Sequence, residues 1–483
     1  MMKSGEYQPR LQFLDQEQKK RIHQEALQVL ESVGMEVLQE EARSLLIQAG
    51  AREGEGNRLY IPASLVDKAL ETAPNNIAVY DREGTHVMDL GGRRAYFGTG
   101  SDLIYNLDPQ SEERHPCRLE DVTRAARLCD ALPNIDFVMS FAHPSEIPPH
   151  FAYLKSFEAM ALSCRKPIVC TAEDRGDLEA MWKIGCAVRG GAEALRQKPY
   201  LIHYAEPISP LKHPVPSLNK LLLCAEKEIP AIYSPAPIAG STAPMTLAGH
   251  VVQGLAECLT GLIIHQLKRP GAPFLMGMGP AVLDMATGQC SYNAPEYYMA
   301  YGAMIEMSHF YDLPSWGYAG TSDSQVPDGQ ATFEAGLLTF LSTFLGANLN
   351  HDVGYLDFGR TGALEMIVMV DEFIDQIRRM ALGIPTDPEH LGVDAIAQVG
   401  PGGHFLTHPH TLKHLRDTQW RPRLIHRGSH EKWTAAGKTT LLDRSRARVR
   451  EILEKHLPVP VPDPVRQAIQ EIIDTFQEKG HEI

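Results

Sequence analysis

Between residues 94 and 382 the chain repeats one unit, a short buried-strand signature followed by a segment of helical period, eight times over. The strand signatures are Ala95–Thr99, Ile135–Ser140, Pro167–Thr171, Tyr200–Ala205, Pro230–Ser234, Pro273–Gly277, Pro314–Tyr318 and Ala347–Asp352. Each is a brief apolar and aromatic run of the kind a strand buried on both faces requires. Helical spacing follows in segments such as Leu119–Leu132, Phe151–Cys164, Leu218–Lys227, Leu247–Leu267 and Pro295–Tyr311. After the seventh strand, Phe333, Leu337, Leu338, Leu341 and Phe344 form the apolar stripe of another helix. Eight successive β-α units predict an α/β fold, a (β/α)8 TIM barrel. The rival, a doubly wound open sheet, places a glycine-rich phosphate turn after its first strand, and none stands there.

Flanking stretches break the period and set the expected organisation. Residues 1–93 read as a helical and β-hairpin extension, 94–382 as the catalytic barrel, and 383–483 as a C-terminal loop and helical tail packing on the barrel or on a neighbouring subunit. Asp15 with Gln18 has the form of a capping box opening a helix that runs to Gly34. Further helices are expected from Glu40 to Ala49 and after Pro62, and Ile77–Asp81 with His86–Leu90 flank a hairpin turn. Nothing in this extension suggests chemistry.

Composition narrows the function classes. With 60 acidic against 46 basic residues and a net charge of -14, a nucleic-acid partner is disfavoured. The N-terminus lacks the apolar core of a signal peptide and no long apolar run stands out, so a cytoplasmic protein without a membrane partner is expected. The eight cysteines are scattered without a C-x-x-C pair and read as buried reduced thiols.

In a barrel, side chains at the C-terminal ends of the strands converge on one site. That rule singles out Gly98 to Asp102, Tyr204 with Glu206, the polar loop Thr321–Gln330 including Asp323, and Asn348, His351 and Asp352. Aromatic residues recur at the same places: Tyr96, Phe97, Tyr204, Tyr233, Trp316, Tyr318, Tyr355 and Phe358. Electron-rich rings attract a quaternary ammonium, which has no N–H to donate. A second cluster, His404, His408, His410 and His414, has spacings that could hold zinc, and a metal-dependent barrel hydrolase is the alternative it raises. Pro401, Pro409 and the paired glycines argue against a regular helix there, so no metal ligand is assigned. No nucleophile elbow, phosphate loop or H-E-x-x-H motif occurs.

Five stretches taken together carry a family resemblance: Tyr96-Phe97-Gly98, Gly320 to Gln330, Asn350 to Tyr355, Val399 to His408, and Trp420 to Leu424 with Lys432-Trp433. Over nearly its whole length the chain resembles the trimethylamine methyltransferase family of corrinoid-dependent methyltransferases. The resemblance implies a TIM barrel that moves a methyl group from a methylated amine to the cobalt of a separate corrinoid protein. The founding branch carries pyrrolysine and uses trimethylamine. This chain has only standard residues and is similar to the non-pyrrolysine branch, whose substrates are quaternary amines such as glycine betaine, proline betaine, carnitine and γ-butyrobetaine.

Attack by cob(I)alamin on an N-methyl carbon expels an amine that is already neutral, so no catalytic acid or base is expected. The protein's part is to position and desolvate the cation. The expected substrate-binding set is Tyr96, Phe97, Tyr204, Glu206, Trp316, Asn348, His351, Phe358 and His404, with His351 or His404 facing a distal carboxylate. Strand alternation forbids both Tyr96 and Phe97 from pointing inward without a bulge, and Tyr96 is preferred. No cofactor is expected on the chain itself, because cob(I)alamin arrives on the partner corrinoid protein. A homo-oligomer is allowed, and a non-catalytic betaine-binding protein of the same architecture remains as a further alternative.

Overall fold

All eight expected strand segments pair in parallel with their neighbours in chain order, in a computed structural model that describes residues 8–479. Ile168–Cys170, Leu201–Ala205, Ala231–Tyr233 and Phe274–Met276 form one run of parallel ladders. Trp316–Tyr318, Leu349–His351 and Tyr96–Phe97 form a second. Single parallel bridges join the two: Met276 to Ser315 on one side, Gly98 to Phe137 and Val138 to Ile168 on the other. Pairing thus passes through all eight segments and returns to the first, as a (β/α)8 barrel requires. The second segment is joined by single bridges in place of a ladder, with Asp136 N–H donating to Phe97 O, Val138 N–H to Pro167 O and Val169 N–H to Val138 O.

A helix follows every strand: Leu119–Ala131, Pro149–Ser163, Arg175–Arg189, Val215–Lys227, Leu247–Lys268, Pro295–Phe310, Gly329–Leu345 and Leu364–Ala381. The fifth, Leu247–Lys268, is long and apolar enough to cross a membrane (mean hydropathy 1.5), yet 72% of that window is buried inside the fold. Its apolarity comes from packing against the first helix of the chain, two N-terminal helices and both neighbouring barrel helices. This helix departs from the expectation that no long apolar run stands out.

The N-terminal extension closes the bottom of the barrel. Asp15 and Gln18 form the expected capping box for the helix Gln16–Gln28. Strands Ile77–Tyr80 and His86–Leu90 make the hairpin, and Tyr80 N–H donates to Pro199 O just before the fourth barrel strand. Ile77, Val79, Met88 and Leu90 enter one apolar cluster with the inward residues Phe137, Val169, Ile202, Ile232, Leu275, Trp316 and Leu349. The hairpin is therefore a plug. A small sheet not anticipated from the sequence, Met35–Val37 with Arg52–Glu53, Arg58–Tyr60 and Lys212–His213, ties the extension to the loop after the fourth strand.

The tail wraps the outside. Helix Leu441–Lys455 packs on Leu364–Ala381 and Leu119–Ala131, and Asp463–Lys479 packs on Arg175–Arg189. Val449, Ile452, Ile469 and Ile473 are its buried anchors. Glu372 Oε1 accepts from the N–H groups of Arg423, Leu424 and Ile425 and fixes where the tail turns back.

Candidate active site

Alternation along the strands decides which of the expected residues can meet. Above the apolar plug, at the C-terminal ends of the strands, lies a cavity of about 380 Å³. That is within the range of small-molecule sites. Tyr204 from the fourth strand, Tyr318 from the seventh, and Tyr355 and Tyr292 from the loops above line it. Asp102, Glu206 and Asp352 face the same space. Among the described residues lining it there is no lysine or arginine.

His351 forms part of the floor. Its ring stacks on Trp316 with centroids 4.1 Å apart and lies 4.5 Å from the Tyr318 ring. Its Nδ1 lies 2.8 Å from Gly317 O and must carry the proton it donates there. The Nε2 lone pair then faces Asp352 Oδ1 at 3.2 Å. Burial pushes the imidazole down to about 3 and the Asp352 carboxyl well above the usual carboxylate range. Although the distance suits an ion pair, both shifts favour the neutral form, an Asp352 carboxyl donating to a neutral His351.

The other two carboxyls are also raised, and burial is the main cause in each. The Tyr204 hydroxyl donates to Glu206 Oε2 at 2.8 Å, which opposes the rise. Glu206 is nonetheless reached by solvent from the open side. Ser101 Oγ donates to Asp102 Oδ2 at 2.6 Å, while Asp102 Oδ1 is buried without a hydrogen-bond partner. Asp102 and Asp352 both hold left-handed backbone, φ 66° and 76°, a conformation an aspartate tolerates better than most residues. Gly100 packs against the second of them, and a Cβ there would collide with Asp352 Oδ1 and the Tyr355 hydroxyl.

The structure brings Tyr204, Glu206 and His351 together at the mouth, with Trp316 supporting His351 from below. It does not bring the other expected residues there. Tyr96 does point inward, but at the bottom, where its hydroxyl accepts from Asp89 N–H at 3.1 Å among the plug residues. Phe97 points outward into the strand–helix layer, 5.4 Å from the Arg378 guanidinium, because it lies one residue out of phase. Asn348 is also outward and structural: its Oδ1 accepts from Ser315 and its Nδ2 donates to Gly92 O and Arg94 O. Phe358 is half-buried beside Arg360 and does not line the cavity.

His404 is exposed on the tail. Its neighbours take local partners: His408 Nε2 with Gln398, His410 Nε2 with Glu389 O, His414 Nε2 with Glu389 Oε1. Among the described residues, no group of three His, Cys, Asp or Glu side chains could hold a metal ion.

Tyr292 was not anticipated. It follows the short strand Cys290–Ser291, in an excursion after the sixth barrel strand. Its N–H donates to Asp323 Oδ1 at 3.1 Å, and the Ser291 hydroxyl bonds the same carboxylate. Asp323 is itself held by its N–H to Glu334 Oε2 at 2.9 Å, which also accepts from Ser322 Oγ. The polar loop after the seventh strand thus acts one step back from the cavity: it positions Tyr292.

The sequence matches the family model described as trimethylamine methyltransferase (MTTB) over residues 3–480. A trimethylamine methyltransferase MttB of Desulfitobacterium hafniense (strain DCB-2) is 30% identical over 459 residues, 95% of this chain and 92% of the relative. A glycine betaine methyltransferase of Desulfitobacterium hafniense (strain Y51) is 30% identical over 464 residues, 95% and 96%. Among solved structures, the Methanosarcina barkeri monomethylamine methyltransferase (MtmB) is 13% identical, with 96% of this chain and 92% of that chain covered and a TM-score of 0.47. That shape likeness is loose, and the barrel rests on its own strand pairing.

Proposed function

The chain belongs to the trimethylamine methyltransferase family, and from that premise we propose that it transfers a methyl group from a quaternary amine bound in the barrel mouth to the cob(I)alamin of a separate corrinoid protein. One observation carries the reading: four tyrosine rings and three carboxyl side chains enclose a single cavity with no lysine or arginine in its lining. Aromatic faces attract a quaternary ammonium by ~0.5–2 kcal/mol per good contact without needing a hydrogen bond from it. Glu206 and Asp102, when ionised, supply the opposite charge.

Tyr204, Tyr292, Tyr318 and Tyr355 wall the cation and exclude water from it. Glu206 and Asp102 stand beside it, and the neutral His351–Asp352 pair forms a floor that carries no positive charge to repel it. Transfer of the methyl to cobalt(I) leaves a tertiary amine that is neutral on departure, so no group here has to deliver a proton to it. The work left to the protein is orientation: one N-methyl must face the open mouth, where the corrinoid protein docks.

The test is methylation of chemically reduced cob(I)alamin by the purified chain with a panel of methylated amines, followed by the loss of cob(I)alamin absorbance. At least one amine should be turned over. If none is, with free cob(I)alamin or with a corrinoid protein as acceptor, the reading fails.

A further inference from the structure

The cavity also speaks to the far end of the substrate. In a betaine the carboxylate is joined to the ammonium by a short carbon chain, only one carbon in glycine betaine, so both charges must enter the same space. Here that space holds Asp102, Glu206 and Asp352. Asp352 is 6% exposed, with its Oδ1 3.2 Å from His351 Nε2. Asp102 Oδ1 is buried without a hydrogen-bond partner, with His143 Nδ1 3.9 Å away.

The nearby cations lie outside the lining. Lys220 Nζ donates to Ala172 O at 2.5 Å. Arg360 spans Asp357, with Nη2 on Oδ1 at 2.8 Å and Nε on the carbonyl at 3.1 Å. A substrate carboxylate would meet the carboxyl groups of Asp102 and Glu206 and no lysine or arginine in the lining, Lys220 acting on both only from outside it. A hydroxyl would meet good acceptors.

Resting on the methyltransferase reading above, we propose that this cavity takes a quaternary ammonium whose remaining arm ends in an uncharged, hydrogen-bond-donating group and disfavours amines that carry a carboxylate. Choline is the simplest compound of that chemistry. Its ammonium fits the tyrosine walls, and its hydroxyl can donate to Glu206 or Asp102. Like-charge juxtaposition, as a betaine would meet here, is a general way for a site to reject the wrong ligand. The raised carboxyls are in keeping with this, since an entering cation favours their ionised forms.

The experiment is calorimetric titration of the full chain with choline, tetramethylammonium and glycine betaine near neutral pH, with cob(I)alamin methylation measured for each. Choline should bind at least about tenfold more tightly than glycine betaine. Glu206→Gln should weaken choline and narrow that ratio, because it removes charge while keeping shape. Glycine betaine bound or turned over as well as choline overturns this inference and leaves the methyltransferase reading standing. An inert response to every amine overturns both.

Discussion

Tyr292 is the residue on which the aromatic enclosure is most cleanly tested, because it is half-buried and held by its backbone and a neighbouring serine. Tyr318, by contrast, is packed against Tyr297, Tyr301 and His351, so truncating it would damage the core as well. Tyr292→Ala should weaken binding of the accepted amine by roughly 1–2 kcal/mol, about five- to thirtyfold, with Tyr292→Phe milder. Unchanged affinity by calorimetry in a folded variant would remove the ring from the site.

Protonation sets a second expectation at the same scale. Glu206 is faced by the Tyr204 hydroxyl, Asp102 and Lys220; Asp102 by Ser101, Thr171, His143 and Lys220. Both pKa values are raised, and a cation binds the ionised forms. Amine affinity should therefore fall as pH drops through their raised values and level off above them. Glu206→Gln should flatten that dependence. An affinity that rises toward acid pH would contradict the assignment.

At the scale of elements, the hairpin is where sequence and structure divide most usefully. It was expected as a hairpin and formed as one, but its role as the barrel's plug depends on contacts more than forty residues away. Leu90→Ala should cost about 2–5 kcal/mol, as deletions of buried leucine side chains do, with amine affinity retained in the folded fraction. Melting and titration of the same sample check the two parts separately. The eight strands were legible because each is a short run buried on both faces. Alternation was legible too: only one of Tyr96 and Phe97 could point inward, and Tyr96 is the one that does. Depth was not: nothing in the local pattern says that Tyr96 starts its strand beside the hairpin while Tyr204 ends one at the mouth. Tyr292 was illegible for a different reason, since Asp323, 31 residues away, fixes it. Strands of two or three residues, such as Arg52–Glu53 and Met35–Val37, are too short to show a period. His404 stood out by composition alone, and a glycine-rich stretch on an exposed tail looks the same in sequence as one in a site.

Over the whole molecule, buried ionisable groups make stability depend on pH with opposing signs. His213 and His265 lie in the layer between strands and helices, fully buried, with Nδ1 on the Tyr233 hydroxyl and on Leu221 O. Burial holds them neutral, down to about 3 and about 4. In the unfolded chain each takes up a proton near the ordinary histidine value of about 6.5. The folded state does not follow, so stability is lost as pH falls from there toward the folded values, by about 1.4 kcal/mol per pH unit for each histidine. Glu257, Glu365 and Asp371 act the other way, because burial raises them. Their contribution is lost as pH rises from the unfolded carboxylate range through the folded values. The net slope of the protein therefore cannot isolate one histidine, but a difference can. The unfolding free energy of the parent minus that of His265→Gln should decrease by about 1 kcal/mol for each unit of pH lost between about pH 6 and about pH 4.5. Urea unfolding of both proteins across that range measures it, and the carboxyls cancel because both carry them. A difference that stays constant with pH would mean that His265 protonates inside the fold, and that the packing around the fifth barrel helix is looser than its burial implies.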